Sequence, residues 1–294
     1  MKLVTFSCRG RHSIGKIDGA WVIDLPATDP AFPLTMREFL AMPSLMARAQ
    51  TLRASHASCY ALAEVRLEAP VPNPGKYLAI GMNYHAHAEE ARRAGVAVPD
   101  TQVWFNKQVS CVNGPYDPVH MPRVSDKLDY EAELGVVIGR RCRHVPPERA
   151  HEVIAGYLVC NDVSVRDWQK RSATMTLGKS FNTTGPVGPW IVTRDEVPDA
   201  QDLRVRLWVN GELRQDINTR EMIHHIKDQI AYLSTVMTLE PGDLIATGTP
   251  AGVGVAMDPP RFLSIGDVVR VDIDGIGHIQ NAVIAEPESP SFID

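Results

Sequence analysis

The chain has 294 residues, of which 44% are hydrophobic and 22% charged, with a formal net charge of −5. That composition is ordinary for a globular protein, and an acidic balance without a dense Lys/Arg block argues against a nucleic-acid surface. No apolar run approaches the ~20 residues that span a membrane, and residues 1–11 lack the basic start and apolar run of a secretory signal. The cysteines (Cys8, Cys59, Cys111, Cys142 and Cys160) form no CxxC pair and are odd in number, so a reduced, cytoplasmic protein is expected.

Short strands are expected at residues 2–6, 13–17 and 21–24, the last two joined by Asp18-Gly19. Residues 35–68 have helical composition but no pattern of reactive groups. Residues 69–75 then place three prolines within five positions, a stiff linker. It divides the chain into a small N-terminal domain, residues 1–70, and a larger domain, residues 71–294. Beyond the linker, strands are expected at 77–80, 132–138, 154–161, 189–193, 203–209 and 268–273. Asn210-Gly211 makes a hairpin turn into 212–215. Helices are expected at 87–94, 147–154 and 223–237, the last with Ile226, Ile230, Leu233 and Met237 at helical spacing. The basic cluster Arg140-Arg141-Cys142-Arg143 follows a strand and reads as its solvated end. The fold class is therefore strand-rich α+β, not a βαβ array.

The most telling segment is Asp129-Tyr130-Glu131-Ala132-Glu133, which leads into the apolar run Leu134–Ile138. In an extended chain alternate side chains share a face, so Asp129, Glu131 and Glu133 project together. Three like charges on a mostly buried strand are costly unless a cation compensates them, and carboxylate oxygens favour Mg²⁺, Mn²⁺ or Ca²⁺ over zinc. A solvated strand end is the alternative. Asp162 closes another apolar strand and is a natural third ligand beside Glu131 and Glu133. Just after it, Arg166 and Gln169 fall three apart, either as site residues or as a surface turn.

In residues 81–90, His87 and Glu90 lie three apart, close enough on a helix to hydrogen-bond. A carboxylate that orients an imidazole makes a base for water; a charged helix start is the bland reading. His85, with Glu89 four residues on, is the weaker base. Gly178-Lys179-Ser180 presents a fixed cation, but the first glycine of the G-x-x-x-x-G-K phosphate loop is absent. The glycine-rich loop 247–254 offers backbone N–H groups to an anion without dinucleotide spacing.

Taken in order, Gly81-x-Asn83-Tyr84-x-x-His87-x-x-Glu90, Asp129-Tyr130-Glu131-x-Glu133, Asp162-x-Ser164-x-Arg166-Asp167-x-Gln169, Gly178-Lys179-Ser180-Phe181 and Thr247-Gly248-Thr249-Pro250-x-Gly252-Val253-Gly254 resemble the fumarylacetoacetate hydrolase family. The resemblance covers roughly residues 71–285, and residues 1–70 resemble the small accessory domain of bacterial members. It implies a mixed β-sandwich roll, a homodimer and one Mg²⁺ or Mn²⁺ per chain held by Glu131, Glu133 and Asp162. It further implies His87 with Glu90 as the water-activating pair on a lid over residues 84–98 and Lys179 as the group steadying an enolate. Arg166, Gln169 and Thr249 would contact substrate, with Asp129 orienting a ligand. Met82 stands where some acylpyruvate-cleaving relatives carry arginine. Distal specificity is expected around Met82, Trp104, Phe105 and Met175.

The implied reaction is metal-dependent C–C hydrolysis of a 2,4-dioxo acid of the acylpyruvate or fumarylpyruvate type, giving pyruvate and a carboxylic acid. Decarboxylation of a 2-oxo dicarboxylate, or isomerisation or hydration of a 2-hydroxydienoate, would use the same site. A catalytically silent binding protein is a further reading, and retention of every reactive group argues against it.

Overall fold

In the computed structural model, which describes residues 1–93, 95 and 97–288, the apolar run of the sequence lies at the centre of the molecule. The strand Ala132–Ile138 alternates its contacts. Leu134, Val136 and Ile138 enter one core and Val137 enters another, so the strand is buried on both faces. That is why it reads as an unbroken apolar stretch.

It pairs antiparallel with Ile154–Asn161 on one side and Leu244–Ala246 on the other, within a sheet of 12 strands. The same sheet continues through Gly185–Thr193 to Lys2–Cys8, Arg11–Asp18 and Trp21–Asp24 at one end. At the other end it runs through Tyr77–Gly81 to the edge strand Val103–Lys107. A second sheet of five strands, Glu212–Asn218, Arg204–Val209, Val268–Ile273, Gly277–Ala285 and Val119–Met121, shares a core with the first through Val205, Leu207, Val271 and Ile279. Pairing is mixed, with Leu244–Ala246 parallel to Tyr77–Gly81. The architecture is strand-rich α+β.

The sheet crosses the proline-rich linker. Lys2 and Leu3 pair with Val192 and Ile191, and Leu3, Ile14, Ile23, Phe39 and Leu40 share a core with Tyr77, Val137, Leu158 and Val187. Residues 35–68 are less helical than their composition implies. Helices cover Met36–Leu40 and Pro43–Thr51, and the rest holds short turns and the strands Cys59–Ala61 and Arg66–Glu68, which exist by pairing with Trp21–Asp24 and Lys2–Cys8. The Asn210-Gly211 turn forms as expected, both residues at positive φ (52° and 81°).

Helix Ile226–Val236 starts three residues later than its periodicity suggests and buries Ile226, Ile230 and Leu233. The segment Pro147–Val153 is a 3₁₀ helix. Helix His85–Arg93 occupies the third helical position; Ala94, its expected last residue, Val96 of the expected lid, and residues 289–294 of the larger domain lie outside the described residues. Among those described, no helix is long and apolar enough to cross a membrane.

Candidate metal centre and active site

Strand register assembles the centre. Ala132 faces Asn161 and Glu133 faces Cys160, so Glu131 and Asp162, the next residues outward, meet at the same end of neighbouring strands. The Asp162 amide donates to the Glu131 carbonyl (2.9 Å), and the Asn161 side chain accepts from the Glu131 amide (3.0 Å). On the other side Gly135 faces Ala246, which brings the glycine-rich loop alongside, and the Gly248 amide donates to Glu133 Oε2 (2.7 Å). Gly248 sits at φ 103°, with its Cα hydrogen toward Asn83; a Cβ would meet the Asn83 side chain at 2.6 Å. One ligand oxygen each from Glu131, Glu133 and Asp162 then lie within 4.8 Å of one another, all three residues buried.

Asp129 does not share this space. Chain pairing is interrupted at Tyr130 and Glu131, between Leu128–Asp129 and Ala132–Ile138, which breaks the alternation expected of one continuous strand. The Asp129 carboxylate turns to the amides of Tyr130, Gly254 and Val255 (2.9, 2.8 and 2.9 Å) and to Arg166 Nε (2.8 Å). Arg166 joins it to the centre, its Nη1 lying 2.7 Å from Glu131 Oε1.

Two buried lysines complete the cluster. Lys179 Nζ bonds Glu131 Oε2 (2.8 Å) and Asp162 Oδ2 (2.7 Å), and lies 4.7 Å from the centre of the Phe105 ring. Its turn, Thr176–Lys179, rests on the short helix Arg166–Gln169: a Cβ on Gly178 would meet the Gln169 backbone N at 2.2 Å, so only glycine allows the approach. The second is Lys107, absent from the sequence-based set, whose Nζ reaches Asp162 Oδ1 (2.7 Å) and the Val163 carbonyl (3.2 Å). Nothing local marks it: it is one lysine at the end of a five-residue strand, and its partner is 55 positions away.

The other expected residues are placed as follows. His87 Nδ1 lies 2.8 Å from Glu90 Oε2, and Glu90 Oε1 accepts from the Gly252 amide (3.2 Å), tying the helix to the glycine-rich loop. His85 and Glu89 are exposed, and Glu89 faces Arg92 and Arg93. Gln169 has both amide ends engaged, accepting from Arg166 Nη1 (3.0 Å) and donating to Met175 Sδ (3.5 Å). Thr249 is buried and its hydroxyl accepts from Gln215 Nε2 (3.0 Å). Arg166 Nη2 is buried and has no partner among the described residues, a donor left for a ligand.

Burial opposes charge on Glu131, yet Lys179 and Arg166 beside it hold its carboxyl down at about 2. Burial, and then the Asp162 and Glu131 charges, push Glu133 well above the usual carboxylate range. Four buried carboxylates (Asp129, Glu131, Glu133, Asp162) face three buried cations (Lys107, Arg166, Lys179). The excess negative charge, the strained ionisation of Glu133 and an all-oxygen donor set together fit a hard divalent cation.

Comparison with known proteins agrees. A sequence model of the fumarylacetoacetate (FAA) hydrolase C-terminal family matches residues 76–284. The mitochondrial oxaloacetate tautomerase of Xenopus laevis is 44% identical over 97% of this chain and 90% of its own length. The crystal structure of maleylpyruvate hydrolase from a Sphingobium species, in complex with manganese(II) and pyruvate, superposes with a TM-score of 0.81 at 35% identity, covering 98% of this chain and all (100%) of that one. The 2-hydroxyhepta-2,4-diene-1,7-dioate isomerase of Mycobacterium marinum superposes with a TM-score of 0.78 at 32% identity, with 98% and 100% covered.

Proposed function

The chain belongs to the fumarylacetoacetate hydrolase family, and from that premise we propose that it hydrolyses a C–C bond in a 2,4-dioxo acid, releasing pyruvate and a carboxylic acid. The observation that carries this reading is the meeting of two devices on one loop: the Gly248 amide donates to Glu133 Oε2 (2.7 Å), and the Gly252 amide donates to Glu90 Oε1 (3.2 Å), the partner of His87. A base for water thus stands beside a centre built for anionic oxygen.

Glu131, Glu133 and Asp162 would hold Mg²⁺ or Mn²⁺, which supplies Lewis acidity toward the 2-oxo group and the enolate that leaves. Arg166, through its unpartnered Nη2, receives the substrate carboxylate. His87 takes a proton from water, and Glu90, fixed by the Gly252 amide, stabilises the imidazolium. The hydroxide attacks the 4-carbonyl, the C3–C4 bond breaks, and its electron pair passes to C3 as the pyruvate enolate. Lys179 places an ammonium where that negative charge develops. Gln169 holds Arg166 in plane, and reaches substrate only by releasing Met175.

A second reading is favoured by the likeness to an oxaloacetate tautomerase along nearly the whole chain. There His87 moves a proton between C3 and solvent and no C–C bond breaks. Product analysis by NMR on acetylpyruvate, fumarylpyruvate and oxaloacetate, with Mn²⁺ and with chelator, separates the two. Metal-dependent pyruvate plus the matching acid from a diketo acid supports the hydrolase. Faster enol–keto exchange of oxaloacetate, with the diketo acids intact, replaces it by the tautomerase, and pyruvate from oxaloacetate alone by a decarboxylase. No reaction in any tube turns the choice to an isomerase or hydratase of a 2-hydroxydienoate, or to a silent fold.

A further inference from the structure

Five of the six carboxylate oxygens of Glu131, Glu133 and Asp162 lie against a protein donor among the described residues. Glu131 meets Arg166 Nη1 at Oε1 (2.7 Å) and Lys179 Nζ at Oε2 (2.8 Å). Asp162 meets Lys107 Nζ at Oδ1 and Lys179 Nζ at Oδ2, both at 2.7 Å. Glu133 accepts the Gly248 amide at Oε2 (2.7 Å). Lys107 is the one donor side chain here to which the mechanism gives no task. Its side chain is fully buried, its Nζ lies 6.0 Å from the centre of the Tyr77 ring, and its remaining bond goes to the Val163 carbonyl (3.2 Å). Among the described residues, Asp162 is the one charged group with which it forms an ion pair.

We propose that Lys107, together with Lys179, clamps Asp162 so that it offers a metal one oxygen and not two, and that Lys107 is thereby a determinant of metal selectivity, favouring Mg²⁺ and Mn²⁺ over Ca²⁺. A cation chelated by both oxygens of a carboxylate sits in the notch between them. At Asp162 that position lies close to two ammonium groups, one on each oxygen, and both repel it. A cation bound through a single oxygen stands off from at least one of them. Ca²⁺ takes about 6–8 oxygens and commonly uses bidentate carboxylates, whereas Mg²⁺ keeps about six ligands in near-octahedral geometry with several waters. Oxygens that each carry an ammonium at 2.7 Å therefore penalise Ca²⁺ most. Glu131 is restrained in the same way by Arg166 and Lys179, but those residues serve the reaction; Lys107 serves Asp162 alone. It is a positioning residue.

The inference rests on the metal-site reading above, and its test reads binding, not turnover. Calorimetric titrations of the full chain with Mn²⁺ and with Ca²⁺ give the ratio of their dissociation constants for wild type, Lys107→Met and Lys107→Gln, with a thermal melt on each. Wild type is expected to prefer Mn²⁺. Lys107→Met, which frees Asp162 Oδ1, is expected to shift the ratio toward Ca²⁺ by about tenfold or more, in the range typical of residues that orient metal ligands. Lys107→Gln keeps a donor, so it should shift the ratio less; it also serves if the Met variant does not fold. An unchanged ratio in the folded variants overturns the clamp even if both affinities fall together, and so does a wild type that prefers Ca²⁺. Wild type that binds neither cation overturns the metal-site reading itself, a result distinct from the other two.

Discussion

The carboxylate centre and the His87 helix both bond to the glycine-rich loop yet are built on opposite principles. Glu133 is 1% exposed and Asp162 0%, and the donors that hold the three carboxylates come from the edge strand, the Arg166 helix, the Lys179 turn and the glycine-rich loop. Helix His85–Arg93 has nine residues, buries only Ala88, and joins the site through one amide bond of 3.2 Å from Gly252 to Glu90. A helix this short is marginal by itself, so its position depends on docking. On the proposed reading, the groups that hold fixed charge stand in or next to the ends of buried strands, where little reorganisation is needed at the moment of reaction. On the same reading, the group that exchanges protons with water is carried on the short helix with the fewer contacts.

The strongest test of that division is Glu131→Gln. It removes a ligand and strands Lys179 and Arg166 beside a neutral amide, so Mn²⁺ binding by calorimetry should fall by two orders of magnitude or more and turnover should be lost, as about 10²-fold or greater. Retained metal affinity would remove Glu131 from the ligand set. His87→Ala should instead lower turnover by about 10²–10⁴-fold while Mn²⁺ affinity stays within about threefold. Loss of metal with turnover intact would reverse the two assignments.

The two glutamates of the segment also differ from each other, and pH separates them. Glu131, held at about 2, is ionised throughout the neutral range and adds no pH dependence to binding there. Glu133 is pushed up by burial and by Asp162 and Glu131, so a cation that ligates it must displace a proton. Because the metal needs the ionised form, affinity rises with pH until Glu133 is fully ionised, by up to about tenfold per unit for a single proton. Titrations in buffers of different ionisation enthalpy should show proton release that declines as pH rises. A metal affinity that does not change between about pH 5 and 8 would mean that Glu133 is already ionised there.

How much of this was legible in sequence follows the same division. Glu131, Glu133 and Asp162 could be read because each adjoins a strand whose apolar run marks it as buried, and because register alone brings strand ends together. The His87–Glu90 contact follows from helical spacing. Asp129 is the instructive failure of alternation: strict period two holds only within one unbroken strand, and the pairing changes partner at Tyr130. Lys107 carries no local signal, since its role comes from the distance its side chain spans in the folded chain. The strands at Cys59–Ala61 and Arg66–Glu68 were hidden for the same reason, their extended form being set by partners in Trp21–Asp24 and Lys2–Cys8. Likewise the prolines of residues 69–75 report local stiffness and say nothing of Lys2 pairing with Val192.

The smallest effect is the one that bears most directly on the helix. If residues 84–98 act as a lid, the amides of His85–Arg93 should exchange with solvent far faster than those of Ala132–Ile138 in the ligand-free protein. Oxalate, a planar mimic of a 2-oxo acid enolate, should slow them in the presence of Mn²⁺, because a ligand beneath His87 adds contacts to a helix otherwise docked through Ala88 and Glu90. Protection of the sheet amides should hardly change, since their bonds are already complete. Equal protection of helix and sheet before oxalate, with no gain after it, would mean that the base is as rigidly placed as the ligands. The contrast between the two regions would then be one of solvent exposure alone, with His87 positioned for water before any substrate arrives.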